Sequence, residues 1–247
     1  MDASLMPSAL RHTTAGVGLA GIDRKGAREA LMNVTYPFQD VAFESNANVA
    51  CLGAHRGRDG GIVVLGTGSI GFATAKGREL RIGGYGFPIS DEASGADFGL
   101  QAVRLALRAH DGGISPSPFL LEVIEKLGSD PVELVAWAEQ ATATDFASLA
   151  PAALAYAEAG DAFAEEIVAE GARQADVLIR SLVEFGAPRI SLLGGLASRM
   201  VQWLSPEVAH FLTPPEADAV AGALLLARRK GSVPIDSSEQ GKGAQIC

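Results

Sequence analysis

The sequence predicts an α/β fold, and three observations support this. Short apolar runs flanked by glycine-rich turns alternate with segments of helical periodicity along most of the 247 residues. The apolar run at 62–65 passes directly into a Gly-Thr-Gly-Ser turn at 66–69, which is typical of a buried strand with a tight turn at its end. From residue 94 onward, helical patterns dominate until a further apolar run at 190–193. A chain of this length forms one large domain or two small ones.

Each element follows from its local pattern. The predicted strands are 15–20, 41–45, 62–65, 71–75, 79–82 and 190–193. The predicted helices are 23–33, 47–54, 94–109, 118–127, 131–140, 151–159, 163–184 and 216–229. Asp23 is expected to cap the first of these helices, and Pro214-Pro215 to begin the last. The polar, Gly- and Ser-rich segment 231–247 is expected to be a disordered tail.

Composition excludes several classes of function. The net charge of −9 and the isoelectric point near 4.9 argue against nucleic acid as a partner. Two cysteines, Cys51 and Cys247, cannot build a disulfide framework, which fits a reducing cytosol. The first residues lack the apolar stretch of a signal peptide, and no apolar run is long enough to span a membrane. The expectation is a cytoplasmic protein with a small-molecule partner, no membrane partner and no metal-ligand cluster of its own.

The segment 61–95 contains the residues that indicate the chemistry of the site. The turn after the strand at 62–65 directs backbone N–H groups and hydroxyls to one point, and such a nest suits a phosphate. A second glycine cluster at 83–86 precedes an acidic pair, Asp91 and Glu92. Carboxylates accept hydrogen bonds from hydroxyls. Together, a backbone that holds phosphate and acids that bind hydroxyls indicate a sugar kinase.

A competing interpretation comes from the stretch Gly16-Val-Gly-Leu-Ala-Gly21, which matches the G-x-G-x-x-G dinucleotide fingerprint, with Glu44 about twenty residues further on. That fingerprint requires a complete strand before its first glycine. Here the glycines lie inside the apolar run, so the pattern favours a strand over a nicotinamide site.

Four motifs in order resemble one family. They are Glu-Ser-Asn-Ala at 44–47, Gly-Thr-Gly-Ser-Ile at 66–70, Gly-Gly-Tyr-Gly-Phe-Pro-Ile-Ser-Asp-Glu-Ala-Ser-Gly at 83–95 and Leu-Leu-Gly-Gly-Leu-Ala at 192–197. The chain resembles the N-acetylglucosamine kinase group within the BadF/BadG/BcrA/BcrD ATPase family. The resemblance implies the ribonuclease H-like, actin-like ATPase two-domain fold and the phosphorylation of an amino sugar by ATP with Mg²⁺.

The resemblance also implies roles for individual residues. Thr67 and Gly68 would face the ATP phosphates, and Gly194 and Gly195 would lie under the adenosine. The residues expected at the amino sugar are Ser69, Gly84, Tyr85 and Asp91, with Glu92 bracing the loop. Eukaryotic relatives carry asparagine at the position of Ile70, so a polar sugar contact is not expected there.

Two departures bear on activity. The family's general base is an aspartate at the position of Asn46, and an amide cannot accept a proton at neutral pH. Glu44 would lie on the same face if the strand continued to residue 46, which makes it a candidate substitute. The hairpin with an Asp-Gly-Gly-Gly-Thr loop, which opens related kinases, has no counterpart before residue 15. With that loop missing, an Asn46→Asp change alone is not expected to restore sugar kinase rates.

These departures shape the predicted organisation and the alternatives. We expect 1–56 to be a truncated small domain and 57–230 a large kinase domain, with the helix at 216–229 packing back. The strand at 15–20 would then expose an edge, and homodimers are common among related proteins. A non-catalytic sugar- or nucleotide-binding pseudokinase and an activator ATPase of the CoA dehydratase type are the alternative functions.

Overall fold

The computed structural model describes residues 7–128 and 130–231. The strands are β1 (Thr14–Leu19), β2 (Asp40–Ser45), β3 (Gly60–Leu65), β4 (Ser69–Ala75), β5 (Arg78–Gly83) and β6 (Ile190–Leu193). The helices are α1 (Pro7–Leu10), α2 (Ala27–Met32), α3 (Asn46–Ala54), α4 (Gly95–His110), α5 (Pro118–Leu127), α6 (Pro131–Gln140), α7 (Ala143–Ala147), α8 (Ala150–Glu158), α9 (Ala162–Phe185), α10 (Ala197–Met200), α11 (Pro206–Ala209) and α12 (Ala219–Gly231). A short 3₁₀ turn, Val201–Trp203, follows α10.

The chain divides into two compact units. The first unit contains the described residues up to Gly57 together with those from Ala217 onward, and the second spans Arg58–Glu216. The last helix therefore belongs with the first segment of the chain, which differs from the division at 57–230. The reason is that α12 packs on α3 and on β1, both of which lie in that first segment.

The first unit is built on a parallel pair of strands, β1 and β2. Helices α3 and α12 cross so closely that a Cβ on Gly53 would overlap the carbonyl oxygen of Asp218, and one on Gly222 would overlap that of Val49. Gly16 of β1 similarly meets the carbonyl of Ala223. Because Gly16 lies inside β1 and not after it, the dinucleotide fingerprint lacks its structural context.

The second unit contains a four-stranded sheet of order β5-β4-β3-β6. Strands β3, β4 and β5 form antiparallel hairpins, whereas β3 and β6 are parallel. The strand β3 is apolar and almost wholly buried. Helix α9 packs on this sheet, and the hydrophobic core continues among α4, α5, α7 and α8. Because β3 and β6 are parallel, both of their carboxyl ends lie at one edge of the sheet.

Several predicted boundaries differ from the structure. The helix expected from Asp23 begins at Ala27, because Gly26 takes the left-handed conformation (φ +80°). The last helix begins at Ala219 and not directly after the two prolines, and the Asp218 carboxylate accepts the Ala221 N–H at 2.9 Å. The short helices α1, α7, α10 and α11 have no predicted counterpart. The expected disordered tail begins with Gly231, which ends α12, and its remaining residues 232–247 lie outside the described residues.

Candidate functional site in the second unit

The glycine turn at 66–68 connects β3 to β4. Leu65 faces Ser69 across this hairpin, and the Gly66 N–H donates to the Gly68 carbonyl at 3.0 Å. The Thr67 side chain points into solvent, whereas Ser69 is buried. The sequence thus places an exposed hydroxyl and a glycine at the carboxyl end of a buried strand.

The first turn of α4 is fastened to this glycine turn. The N–H groups of Gly95 and Ala96 donate to the carbonyls of Gly66 and Thr67, at 2.8 and 3.2 Å. Ser94 caps the same helix, because its hydroxyl accepts the Asp97 N–H at 3.1 Å. Two N-terminal amides of α4 therefore orient the turn, since helix starts leave such donors without an intrahelical partner.

A glycine-rich loop follows β5. Gly83, Gly84 and Gly86 all have φ between +66° and +104°, a region that side chains rarely occupy. A Cβ on Gly84 would lie 2.9 Å from the Ile70 side chain, so the two residues pack together. Tyr85 is 80% exposed. Arg81 donates to the Gly84 carbonyl at 2.6 Å and lies over the Tyr85 ring at 5.9 Å.

Asp91 connects this loop to the glycine turn at 66–68. Burial raises the pKa of the Asp91 carboxyl, and hydrogen bonds from the backbone N–H groups of Ser69, Gly86 and Phe87 oppose that rise. A Cβ on Gly68 would lie 2.8 Å from Asp91 Oδ2, so the Asp91 carboxylate lies directly against this turn. Glu92 is exposed, and its backbone carbonyl accepts the Ser69 hydroxyl at 2.5 Å. The Ser69 hydroxyl is thus engaged within the protein.

The turn after β6 lies beside the end of β3. Gly194 has φ +99°, and a Cβ there would overlap the carbonyl oxygen of Leu65. That same carbonyl accepts the Leu196 N–H at 3.0 Å. A Cβ on Gly195 would meet no atom within 4 Å. The parallel pairing therefore brings Gly194 next to the glycine turn at 66–68, whereas Gly195 faces open space.

A cavity of about 480 Å³ opens at the same turn. Its lining is mainly apolar and comes from the end of β6, from α10 and from the segment after α11, namely Leu192, Leu193, Gly194, Ala197, Ser198, Val201, Leu212, Thr213, Pro214 and Pro215. Apart from Gly194, the sequence analysis identified none of these as site residues, because they come from three separated segments. A mainly apolar cavity with a few polar groups suits the flat ring of a nucleotide base.

The two candidates for proton transfer lie in the first unit. Strand β2 ends at Ser45, whose hydroxyl caps α3 by accepting the Asn48 N–H at 3.1 Å. Asn46 is therefore the first residue of α3, with an exposed side chain, and strand alternation does not relate it to Glu44. The Glu44 carboxylate pairs with the Arg28 guanidinium at 3.5 Å. Of the two cysteines, Cys51 is buried in α3 and Cys247 lies outside the described residues.

One partly buried carboxylate at the site was missed by the sequence analysis. Asp97 lies on the first turn of α4 and accepts the Ala93 N–H at 3.3 Å and the Gln101 amide at 3.0 Å. Burial raises the pKa of the Asp97 carboxyl, and the hydrogen bond from Gln101 is the largest opposing effect. The pattern Ser94-x-x-Asp97 resembles a helix capping box and could have identified it.

Comparison with known proteins shows the family to which the chain belongs. The model of the BadF/BadG/BcrA/BcrD ATPase family matches residues 5–227. The glucosamine kinase GspK of Vibrio cholerae is 36% identical over 223 residues, which cover 90% of this chain and 76% of the relative. An N-acetylmuramic acid/N-acetylglucosamine kinase of Clostridium acetobutylicum is 26% identical, over 86% of this chain and 76% of the relative.

Solved structures give the same result. A protein from Chromobacterium violaceum assigned as an N-acetylglucosamine kinase superposes with a TM-score of 0.81 and 34% identity, over 86% of this chain and 75% of the other. A second such protein, from Porphyromonas gingivalis, shares the fold with a TM-score of 0.65 at 17% identity, over 92% of this chain and 80% of the other. The α/β, actin-like ATPase fold and the family resemblance are confirmed, and the chain belongs to the BadF/BadG/BcrA/BcrD ATPase family.

Proposed function

We propose that this protein is an ATP-dependent kinase that phosphorylates an amino sugar, glucosamine or N-acetylglucosamine, at a primary hydroxyl. The names of the similar proteins support this class of substrate. One observation carries the proposal. Hydrogen bonds and close packing join three segments of the second unit, namely the glycine turn at 66–68, the loop bearing Asp91 and the turn at Gly194.

The nucleotide would occupy the cavity beside Gly194. A volume of about 480 Å³ with apolar walls fits adenine and ribose, and the missing side chain at Gly194 keeps the turn close to Leu65. ATP supplies the phosphoryl group. Thr67 and Gly68, at the carboxyl end of β3, are suited to orient its phosphates. In the ranges 7–128 and 130–231, no cluster of three or more acidic, histidine or cysteine side chains could hold a metal ion. Mg²⁺ would therefore enter with the phosphates.

The amino sugar would bind at the loop between β5 and α4. The Asp91 carboxylate is buried beside Gly68, and carboxylate oxygens accept hydrogen bonds, so Asp91 is suited to accept from a sugar hydroxyl. The left-handed conformations of Gly84 and Gly86 allow the backbone to approach a ligand closely. Ile70 adds an apolar surface behind Gly84.

An assay of ADP release with Mg²⁺-ATP tests this proposal. We expect ADP formation that depends on glucosamine or N-acetylglucosamine, with one phosphorylated sugar per ADP, and no stimulation by a sugar that lacks the primary hydroxyl. Calorimetry with each sugar at millimolar concentration measures binding separately. A folded sample that neither binds nor phosphorylates either sugar would refute the proposal.

The exposed amide of Asn46 favours a second function, a pseudokinase that binds sugar and nucleotide without efficient turnover. Loss of a positioned base typically lowers the rate by about 10²–10⁴. Since an amide cannot take the proton, we expect Asn46→Ala to change turnover less than about threefold. Glu44→Gln is the matched variant in the first unit, and we expect a similarly small effect because Glu44 is engaged by Arg28. A loss of 100-fold in either variant would contradict this interpretation.

We also propose self-association through β1. Among the strands in the described residues, β1 pairs with β2 on one side and with no strand on the other. Such an edge presents backbone donors and acceptors to another strand. A second copy of this chain is a partner of suitable chemistry, because its own β1 offers the same apolar edge.

A further inference from the structure

The segment that joins the glycine-rich loop after β5 to α4 has an unusual backbone conformation. Asp91 and Ala93 both take the left-handed conformation, with φ of +73° and +67°, although neither is glycine. Such conformations are energetically unfavourable for side chains and persist where the surrounding structure holds them. Asp91 is buried with its carboxylate against Gly68, and its backbone carbonyl accepts the Ser94 N–H at 3.1 Å. Ala93 is fully buried, and a hydrogen-bond acceptor is needed to hold its left-handed conformation.

Asp97 provides that partner. Its Oδ2 atom accepts the Ala93 N–H at 3.3 Å, and the Gln101 amide donates to the same oxygen at 3.0 Å. In a capping box, the third helical residue reaches back to the N-cap N–H. Here the side chain extends to the residue before the Ser94 cap, and the Ser94 N–H donates instead to the Asp91 carbonyl at 3.1 Å. The hydrogen bonds from the Ala93 N–H to Asp97 and from the Ser94 N–H to Asp91 together determine the backbone path from Asp91 to α4.

The environment of the Asp97 carboxylate favours its hydrogen bonds to Ala93 and Gln101. The carboxylate is partly buried at the start of α4, where burial penalises its charge. A charged group is retained in such a place when hydrogen bonds compensate its lost hydration. The N–H of Ala93 and the amide of Gln101 supply that compensation.

We propose that Asp97 is a positioning residue for the amino sugar, because it holds Ala93 in its left-handed conformation and thereby keeps the Asp91 carboxylate directed toward the ligand. Asp97 itself contacts no substrate. This inference rests on the proposed function, since it assumes that Asp91 binds the sugar. It adds a residue that acts through the loop backbone, one helical turn away from the sugar contacts.

Calorimetry on three variants tests the inference. Asp97→Ala removes both acceptor oxygens, and we expect the Kd for glucosamine or N-acetylglucosamine to rise by about tenfold, the effect of losing about one charge-assisted hydrogen bond. The Kd for Mg²⁺-ATP should stay within about twofold. Asp97→Asn keeps one acceptor oxygen, and its sugar affinity should stay within about threefold of the parent. Asp130→Ala, which removes an exposed carboxylate that caps α6, is the matched control and should leave both affinities unchanged.

A rescue variant separates positioning from helix capping. Glycine takes the left-handed conformation without steric cost, so adding Ala93→Gly to Asp97→Ala should restore part of the sugar affinity. A role in capping α4 alone would not be rescued by a change at residue 93. If Asp97→Ala does not fold, Gln101→Leu replaces it, and we expect a two- to threefold rise in sugar Kd because the carboxylate loses its orienting amide.

The outcomes distinguish this inference from the proposed function. A parent protein that binds neither sugar refutes the proposed function, and this inference with it. A parent that binds sugar, together with a folded Asp97→Ala or Gln101→Leu of unchanged sugar affinity, refutes the inference alone. Equal losses of sugar and Mg²⁺-ATP affinity would also overturn it, since a positioning role predicts a loss confined to the sugar.

Discussion

Two carboxylates on capped helices illustrate how environment sets the behaviour of a single residue. Asp97 of α4 and Asp145 of α7 each lie three residues after their N-cap, at Ser94 and Thr142. Burial raises the pKa of Asp97, whereas hydrogen bonds from Thr142 lower the pKa of the exposed Asp145. Two aspartates at the same helix position therefore have pKa values that are shifted in opposite directions.

This contrast predicts opposite pH dependence of stability. The raised pKa of Asp97 means that its protonated form favours the folded state, and that contribution is lost as pH rises through the raised pKa. The thermal midpoint of Asp97→Asn minus that of the parent should therefore increase between about pH 4 and about pH 7. For Asp145→Asn the same difference should decrease as pH rises through the acid range below about pH 5, because the lowered pKa makes the ionised form stabilising. Scanning calorimetry at several pH values measures both, and parallel trends would contradict the prediction.

At the scale of elements, glycines mark the places where segments approach most closely. The turn after β6 and the crossing of α3 with α12 each depend on a position without a side chain. In both cases the neighbouring atom is a backbone carbonyl oxygen, which cannot move away as the end of a flexible side chain can. Each site gives a prediction with a matched control in the same element.

Gly194→Ala is expected to weaken nucleotide binding. Its Cβ would overlap the Leu65 carbonyl, and its φ of +99° is strained for alanine at a cost of about 1–3 kcal/mol. We expect the Kd for Mg²⁺-ATP to rise at least about tenfold. Gly195→Ala is the matched neighbour, since its Cβ would meet no protein atom within 4 Å, and its Kd should rise less than that of Gly194→Ala because only contact with the nucleotide is disturbed. Titration calorimetry decides between them, and equal effects in both variants would show that close approach at Gly194 is not required.

Gly222→Ala is expected to destabilise the first unit. The new Cβ would overlap the Val49 carbonyl oxygen, so α3 and α12 would have to separate. Inserting a methyl group into such a contact typically costs about 1–3 kcal/mol. Val220→Ala on the same helix is the control, because Val220 is 68% exposed and its truncation should cost less than about 0.5 kcal/mol. Urea unfolding of both variants measures the difference, and a Gly222→Ala midpoint equal to that of the parent would be contrary to this view of the crossing.

At the scale of the whole molecule, the chain consists of two units that each contain one sheet. Among the described residues, the second unit has four paired strands, whereas the first has two. No helix among the described residues is long and apolar enough to cross a membrane. In the proposed self-association, the edge of β1 that pairs with no described strand is the surface that would meet a second copy.

Val17→Lys is expected to reduce self-association. Gly16 and Gly18 point toward α12 and α3, so Val17 lies on the opposite face of β1, where it is partly exposed. A charge beside a strand edge disfavours pairing with another chain. Light scattering should show a smaller particle than the parent, while Val34→Lys, an exposed site in the same unit, should leave the size unchanged. A monomeric parent, or a Val17→Lys variant that remains as large, would contradict the proposed association.

Much of the fold could be predicted because the local signals are strong. The apolar run at 62–65, the turn at 66–69 and the long helical patterns from 118 to 184 specify their elements through periodicity and turn chemistry. The predicted start of α2 was wrong because Gly26 interrupts the helix. Four short helices were not predicted because they span only four or five residues. The assignment of the last helix to the first unit depends on contacts between segments about 170 residues apart, which no local pattern reports.

The sequence by itself determined the fold class, the family and the residue types of the candidate site, because short motifs encode turns, caps and backbone approach locally. Only the tertiary structure decided which of these residues meet. The parallel pairing of β3 with β6 places Gly194 against Leu65, and the Asp91 carboxylate lies against the turn at Gly68. Hydrogen bonds commit the Ser69 hydroxyl to Glu92 and the Asp97 carboxylate to Ala93. The physical reason is that hydrogen bonds and burial act through space, so a polar residue's availability is set by neighbours far from it in the chain.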